Sequence, residues 1–109
     1  GKGGQKMKIA VCGTSYFDKR LCGNIEFVCK KHYRTVKLQN EFEHDCDIVF
    51  ISDVDNAREI RRINKTVPII LLCEKSEDAL VGYDIRALSC IRPPFLRKRI
   101  ETAMFDDSA

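Results

Sequence analysis

Apolar residues along the chain form five short runs, and these runs predict five β-strands. The runs span residues 8–12, 34–38, 47–52, 67–73 and 87–91. The third and fourth runs, "DIVFIS" and "VPIILLC", are almost continuously apolar and rich in β-branched residues. Such runs are typical of parallel strands that are buried on both faces. The pattern therefore predicts a parallel sheet whose central strands are covered on both sides.

Apolar residues three or four positions apart predict helices between these strands. The predicted helices span residues 16–31, 56–64, 76–83 and 95–105. Only "QNEFEHDC" separates the second and third runs, so a helix there has one turn or is absent. This alternation is that of an open parallel α/β sheet. The residues expected to face the core are Phe17, Leu21, Ile25, Val28, Ala57, Ile60, Ile63, Leu96, Ile100, Ala103 and Met104.

Short polar residues stand where several helices are expected to begin. Ser15, with Asp18 three residues later, fits a capping box at the start of the first helix. Ser76 is expected to cap the helix after the fourth strand. Asp53 and Asp55 are expected to cap the helix after the third strand, because carboxylates accept hydrogen bonds from free helix amides.

The length of 109 residues fits one domain. We assign residues 7–105 to that domain, and residues 106–109 to a tail or the start of a linker. The segment "GKGGQK", residues 1–6, is interpreted as an expression remnant. No apolar run approaches the length that crosses a bilayer, and the polar start lacks the apolar core of a signal peptide. A cytoplasmic location without membrane contact is expected.

The charge balance is mild, with 19 basic and 16 acidic residues and a net charge of +3. A field of this size does not indicate nucleic-acid binding by the domain itself. Two basic clusters, at residues 30–34 and 97–99, contain only one Phe, Tyr or Trp residue, Tyr33, and so do not form a row of stacking platforms. They are interpreted as solvated faces.

Six cysteines raise the question of a zinc site or disulfides. The sequence contains no C-x-x-C pair and only two histidines, which argues against zinc. Free, mostly buried thiols are expected, because a reduced cysteine behaves as a small apolar side chain. Cys73 and Cys90 fall on adjacent predicted strands, so a thiol redox sensor is one alternative function.

The turn after the first strand, Cys12-Gly13-Thr14-Ser15, lies where α/β proteins bind ligands. A dinucleotide fingerprint would need two further glycines that are missing here. A second alternative function is a cysteine-based phosphocarrier, because a thiol before a helix N-terminus can act as a nucleophile. In its first strand and loop the chain is similar to the phosphocysteine subunits of sugar phosphotransferase systems, the IIB-like proteins. That alternative makes Cys12 the nucleophile.

The segments "VPIILL" and "PPFLRKRIETAM" carry a broader resemblance, over residues 8 to about 105. In residue type, order and spacing the chain resembles the response-regulator receiver (CheY-like) domain, in the form that precedes a LytTR-type DNA-binding domain. The resemblance implies a doubly wound five-stranded parallel sheet of order 2-1-3-4-5, with a reduced second helix. It also implies two-component signal transduction and transcription regulation as the setting.

The positions that carry receiver chemistry hold other residues here. The acidic pair that binds Mg²⁺ in the family falls on Gly13 and Thr14. The phosphoacceptor at the end of the third strand falls on Ser52, followed by Asp53. Mg²⁺ prefers hard oxygen ligands, mostly carboxylates, so these positions offer it no anchor. The resemblance therefore implies a pseudo-receiver with no metal, no cofactor and no enzymatic activity.

Three further family positions are also changed. The hydroxyl residue that senses the phosphoryl group falls on Cys73, the aromatic switch residue on Cys90, and the lysine after the fifth strand on Pro93. The resemblance implies a role through protein–protein contacts or a homodimer, and a DNA-binding domain elsewhere in the full protein. Its expected interaction face, on the family's fourth helix, fifth strand and fifth helix, comprises Ala79, Tyr83, Arg86, Leu96, Arg97 and Arg99.

Overall fold

The computed structural model describes residues 6–13 and 19–106. Its strands pair in parallel in the order β2-β1-β3-β4-β5, which confirms the predicted doubly wound, CheY-like sheet. The elements in chain order are β1 (Lys6–Cys12), α1 (Lys19–Lys31), β2 (Thr35–Gln39), β3 (Ile48–Ile51), α2 (Val54–Ile63), β4 (Ile69–Leu72), α3 (Asp78–Asp84), β5 (Ser89–Ile91) and α4 (Arg97–Phe105).

The core lies on both faces of the sheet. Every residue of β3 and β4 is buried, as the two continuous apolar runs predicted. Alternate strand residues point to opposite faces. Val11 and Phe50 therefore pack on the side of α1 and α4, while Ala10 and Ile51 pack on the side of α2 and α3.

The connection from β2 to β3 contains no helix, which agrees with the predicted loss of the second helix. Lys8 of β1 holds it through ion pairs to Glu43 at 2.7 Å and Asp45 at 2.8 Å. The Lys8 amide also donates to the Asp47 carboxylate at 2.8 Å. Lys6, assigned to the remnant segment from the sequence, is the first residue of β1 and pairs with Thr35.

Three of the residues predicted as helix caps, Asp53, Asp55 and Ser76, fall among the described residues. Asp53 is the N-cap of α2, because its carboxylate accepts a hydrogen bond from the Asn56 amide at 3.1 Å. Asp55 lies inside the first turn of that helix. The cap predicted at Ser76 is wrong: Glu77 precedes α3, and the Asp78 carboxylate instead accepts from the two loop amides of residues 74 and 75. Ser15, Tyr16, Phe17 and Asp18 lie outside the described residues.

Two residues predicted to face the core are exposed. Ile63 is 47% exposed and Leu96 is 51% exposed. Arg61 occupies the buried position near the end of α2, and Leu96 is the N-cap residue of α4, while Phe95 packs against the core instead.

Strand β5 is also shorter than predicted, since it begins at Ser89. Among the described residues no helix combines the length and apolar character needed to span a bilayer.

Candidate functional site

The carboxyl ends of four parallel strands meet at one edge of the sheet, where ligands bind in folds of this kind. The strand register aligns Cys12 with Ile51, Ile51 with Leu71, and Leu72 with Ile91. The residues that follow these strands, and therefore form the edge, are Gly13, Ser52, Cys73, Arg92 and Pro93.

Gly13 and Ser52 are in close contact at the centre of this edge. Gly13 has a φ of +104°, which L side chains rarely adopt, and a Cβ there would lie 2.5 Å from Oγ of Ser52. A carboxylate at position 13 would need both a strained backbone and the space that Ser52 fills. A carboxylate there would have to displace the Ser52 hydroxyl, and Gly13 itself supplies no side-chain metal ligand at the first position that the family resemblance implies. Thr14, the second position, lies outside the described residues.

Asp53, the carboxylate nearest in sequence to the expected phosphoacceptor position, has a structural role. It caps α2 through the 3.1 Å bond from the Asn56 amide. In residues 6–13 and 19–106 no group of three or more His, Cys, Asp or Glu side chains is arranged to hold a metal ion. The described residues of this edge do not fit Mg²⁺, because the ion needs several oxygen ligands placed together.

Cys12, the candidate nucleophile of the phosphocarrier alternative, is buried at the end of β1. Burial, and secondarily the nearby Cys46, raises the pKa of the Cys12 thiol to about 11. The thiol is therefore protonated at neutral pH and is a poor nucleophile. A cavity of about 340 Å³ lies beside it, lined by Gly13, Asn40, Glu41, Phe42, Asn56, Glu59, Ile60 and Ile63.

The structure brings Cys73 and Cys90 together, although they lie 17 positions apart in the sequence. Cys73 is buried and its amide donates to the Ile91 carbonyl at 2.8 Å, which extends the pairing of β4 and β5. Burial first, and then the electrostatic effect of the neighbouring Cys90 thiol, raises the pKa of Cys73. Cys90 is exposed, contrary to the expectation of a buried apolar thiol.

Arg92 is a candidate functional residue that the sequence analysis did not identify. The family lysine position falls on Pro93, which follows Arg92 and is joined to Pro94 by a cis peptide bond. Arg92 exerts a small opposing effect on the Cys73 thiol, because its positive charge favours the thiolate and lowers the pKa of Cys73. Arg92 therefore places a positive charge one residue before the position at which the family has its lysine.

The expected interaction face is exposed and more apolar than the sequence indicated. Tyr83 is 86% exposed and Leu80 is 72% exposed, both on α3. Leu88, just before β5, is also exposed. Arg97 does not join them, since its guanidinium lies 3.7 Å from the centre of the Phe27 ring on α1. Leu80 and Leu88 were missed because an apolar residue in a short helix or before a strand predicts burial by default.

Arg61 connects α2 to the turn before β5. Its Nε donates to the Ile85 carbonyl at 2.7 Å and its guanidinium also donates to the carbonyls of Asn64 and Arg86. Burial lowers the pKa of Arg61. The turn that it holds includes Arg86, which adopts a left-handed φ of 54°. Arg61 thereby fixes one end of the exposed face.

Solved structures similar to this chain are receiver domains. The receiver domain protein of Clostridium thermocellum has a TM-score of 0.66 and 18% identity, over 89% of this chain and 90% of that one. The non-phosphorylated HemR receiver domain of Leptospira biflexa has a TM-score of 0.67 and 18% identity, over 89% and 93%. DrrB of Thermotoga maritima, an OmpR/PhoB homologue, has a TM-score of 0.67 and 20% identity, over 90% of this chain and 50% of that one.

These likenesses show that the chain has the fold of a response-regulator receiver domain. No family model and no curated protein matches its sequence.

Proposed function

We propose that this chain is a pseudo-receiver: a receiver-fold domain that regulates through protein contacts and does not use aspartyl phosphorylation. The observation that carries the proposal is the contact between Gly13 and Ser52, where the metal-binding carboxylate would have to lie. The domain acts in the cytoplasm as a non-enzymatic signalling module and needs neither metal nor cofactor.

The chemistry of phosphoryl transfer supports this proposal. Transfer to a carboxylate depends on Mg²⁺ and nearby cations that neutralise the phosphoryl oxygens. Gly13 offers no ligand, and Asp53 would have to leave its cap on α2 to act as the acceptor. Loss of a cap of this kind costs about 1 kcal/mol. Ser52 offers a neutral hydroxyl in place of a carboxylate.

The interaction surface is the proposed face of α3, β5 and α4, which includes Ala79, Tyr83, Arg86, Leu96 and Arg99. Exposed aromatic and arginine side chains are enriched at the centres of protein interfaces. Leu80 and Tyr83 lie three residues apart on α3, and Leu88 is exposed just before β5. We propose that this face binds a protein partner or a second copy of the chain.

The setting is proposed to be transcription regulation. The likeness to DrrB covers half of that longer chain. By analogy, this domain would be followed by a DNA-binding domain in the full-length protein, and the sequence resemblance implies that the DNA-binding domain is of LytTR type. DNA contact would then belong to the following domain.

Sedimentation equilibrium over a range of concentrations tests the face as a homodimer interface. We expect a concentration-dependent dimer that Tyr83→Ala weakens by at least about tenfold, as truncation of an interface aromatic commonly does. The matched control is Tyr33→Asn, which removes an equally exposed tyrosine from the loop after α1. Asparagine tolerates the positive φ of that position. A chain that remains monomeric, or a dimer that both variants weaken equally, contradicts the homodimer.

The phosphocarrier alternative has less support. Its nucleophile, Cys12, is buried and has a raised pKa, whereas an activated thiol is partly exposed and has a lowered pKa.

A further inference from the structure

Cys73 and Cys90 lie on two adjacent strands, near the carboxyl edge of the sheet. The register of β4 and β5 pairs Leu71 with Cys90, so Cys73 lies two residues farther along on the same face of the sheet. The Cys73 thiol donates to the Leu71 carbonyl at 3.9 Å, and Leu71 is the residue that pairs with Cys90. Both side chains point toward the layer that contains α3.

The two cysteine residues differ in exposure. Cys90 is exposed, whereas Cys73 is 2% exposed. A dissolved oxidant therefore reaches Cys90 first, and Cys73 is the thiol beneath it that can attack an oxidised Cys90. The other exposed or half-exposed thiol of the described chain, Cys22, lies on α1 on the opposite side of the sheet.

Helix α3 packs directly on the Cys90 sulfur. At Gly82 the helix approaches so closely that a Cβ there would overlap Sγ of Cys90. The absence of a side chain at Gly82 is therefore what allows the sulfur and the helix to occupy adjacent space. Any displacement of this sulfur changes the surface on which α3 rests.

We propose that Cys90 and Cys73 are a redox-active thiol pair, which a hydroperoxide oxidises to a disulfide, and that closure of this disulfide shifts α3 relative to the sheet.

The chemistry proceeds in two balanced steps. The Cys90 thiolate attacks one oxygen of hydrogen peroxide, the O–O bond breaks, and the products are a sulfenic acid on Cys90 and hydroxide. The Cys73 sulfur then attacks the Cys90 sulfur, the S–O bond breaks, and the hydroxyl leaves as water with the Cys73 proton. The hydroxide takes up the proton that the Cys90 thiol had released on forming the thiolate. The two thiols are therefore oxidised by two electrons in total, and one peroxide is reduced to two waters.

The backbone has to move for the second step. Adjacent strands lie about 4.8 Å apart and two residues add about 6.6 Å along the strand, which places the two Cα atoms about 8 Å apart. Disulfides seldom join Cα atoms separated by more than about 7 Å without backbone movement. Closure therefore draws the end of β5 toward Cys73 and withdraws the sulfur that supports Gly82. Helix α3, which carries Leu80 and Tyr83, moves as its support moves.

Peroxide oxidation of the reduced 109-residue chain, followed by peptide mass spectrometry, tests the first part. We expect a peptide pair joined through Cys73 and Cys90, with the loss of two hydrogens. Cys73→Ser is expected to leave a sulfenic acid on Cys90 that dimedone traps, and Cys90→Ser to abolish the cross-link. Cys22→Ser is the matched control, and it is expected to leave the cross-link unchanged.

Amide NMR spectra of the reduced and oxidised chain test the second part. The amides of Leu80, Gly82 and Tyr83 are expected to shift on oxidation in the unsubstituted chain and in Cys22→Ser, and to stay in place in Cys90→Ser. Cys90→Ala serves as a second variant if Cys90→Ser does not fold.

Three outcomes would overturn the inference. The first is a disulfide that forms faster between other cysteines. The second is oxidation of Cys90 that stops at the sulfenic acid while Cys73 is present. The third is a Cys73–Cys90 disulfide that leaves the α3 amides unshifted. The test does not depend on the proposed interaction face, because each readout is internal to the chain.

Discussion

A Cβ added to Gly13 would lie 2.5 Å from Oγ of Ser52, and this contact joins the ends of β1 and β3. Gly13 also has a φ of +104°, so two independent features require glycine at this position. The resemblance to receivers implies a metal-binding carboxylate in the place of Gly13 and the phosphoacceptor carboxylate in the place of Ser52. In their place stand a glycine, which has no side chain, and a neutral hydroxyl.

Gly13→Ala is expected to lower the free energy of unfolding by about 1–3 kcal/mol, because it combines backbone strain with an overlap at Ser52. Urea denaturation at neutral pH measures the change. The double variant Gly13→Ala/Ser52→Gly is expected to recover only the part of the lost free energy of unfolding that is due to the overlap with Ser52.

The matched control for this variant is Gly23→Ala in α1. A Cβ at Gly23 has no atom within 4 Å, so the substitution adds helix propensity without a clash. It is expected to raise stability by about 0.5–1 kcal/mol. A loss of stability in Gly23→Ala, or none in Gly13→Ala, would contradict the packing described for the two glycines.

Gly82→Ala is expected to destabilise the chain in spite of the better helix propensity of alanine. The added methyl overlaps the Cys90 sulfur, and overlaps of this kind cost about 1–3 kcal/mol. Cys90→Ala removes the sulfur, so the double variant is expected to be more stable than Gly82→Ala alone. A double-mutant cycle by urea denaturation measures the coupling. Additive effects would contradict direct contact between α3 and Cys90.

Arg61→Met is expected to lower stability by about 2–3 kcal/mol, because it leaves the buried carbonyl of Ile85 without its donor. Arg61→Lys is expected to recover only part of the loss, since one ammonium cannot reach three carbonyls arranged around a planar guanidinium. Thermal unfolding of both variants measures the difference.

The control is Arg62→Met, one position later in the same helix. Arg62 is exposed and forms an ion pair with Glu59, which is worth about 0–1 kcal/mol. Equal losses for Arg61→Met and Arg62→Met would contradict the role of Arg61 in holding the turn before β5.

Stability at low pH is expected to depend on Glu101 of α4. His32, at 2.7 Å from its carboxylate, and secondarily Lys31, lower the pKa of Glu101 below its ordinary 4.5. A carboxyl with a lowered folded-state pKa contributes stability above its unfolded pKa, and that contribution disappears as the pH falls through the folded value. Glu101→Gln is therefore expected to lower the urea midpoint at pH 7 and to change it little at pH 2.

The control for that prediction is Glu26→Gln, which replaces an exposed carboxylate on α1. Glu26→Gln is expected to leave the difference in urea midpoint between pH 7 and pH 2 as it is in the unsubstituted chain. An equal loss in Glu101→Gln at both pH values would show that the Glu101 side chain acts by packing and not through its charge.

The sequence predicted the sheet because its central strands carry an unambiguous signal. Continuous apolar runs such as 48–51 and 69–72 have few alternatives in a chain of this length. The ends of elements were predicted less well, since local competition decides them: the Asp78 carboxylate binds the loop amides before α3, and Ser76 consequently caps nothing there.

The contacts at the site could not be predicted from the sequence, because they depend on the strand register and on distances across the sheet. Pattern alone identifies Gly13 and Ser52 as replaced positions but does not show that they touch. The same holds for Gly82 against Cys90, and for buried Arg61, whose charge predicts a solvent position. Its three carbonyl partners become apparent only when the helix and the turn are placed together.

The most direct test of phosphorylation independence is an amide NMR titration with Mg²⁺ and then beryllofluoride, a mimic of the aspartyl-phosphoryl group. The pseudo-receiver proposal predicts that the amides of Gly13, Ser52, Asp53 and Cys73 stay in place at millimolar concentrations of both. Shifts of these amides that occur together and saturate would show a functional acceptor at Asp53 and would contradict the proposal.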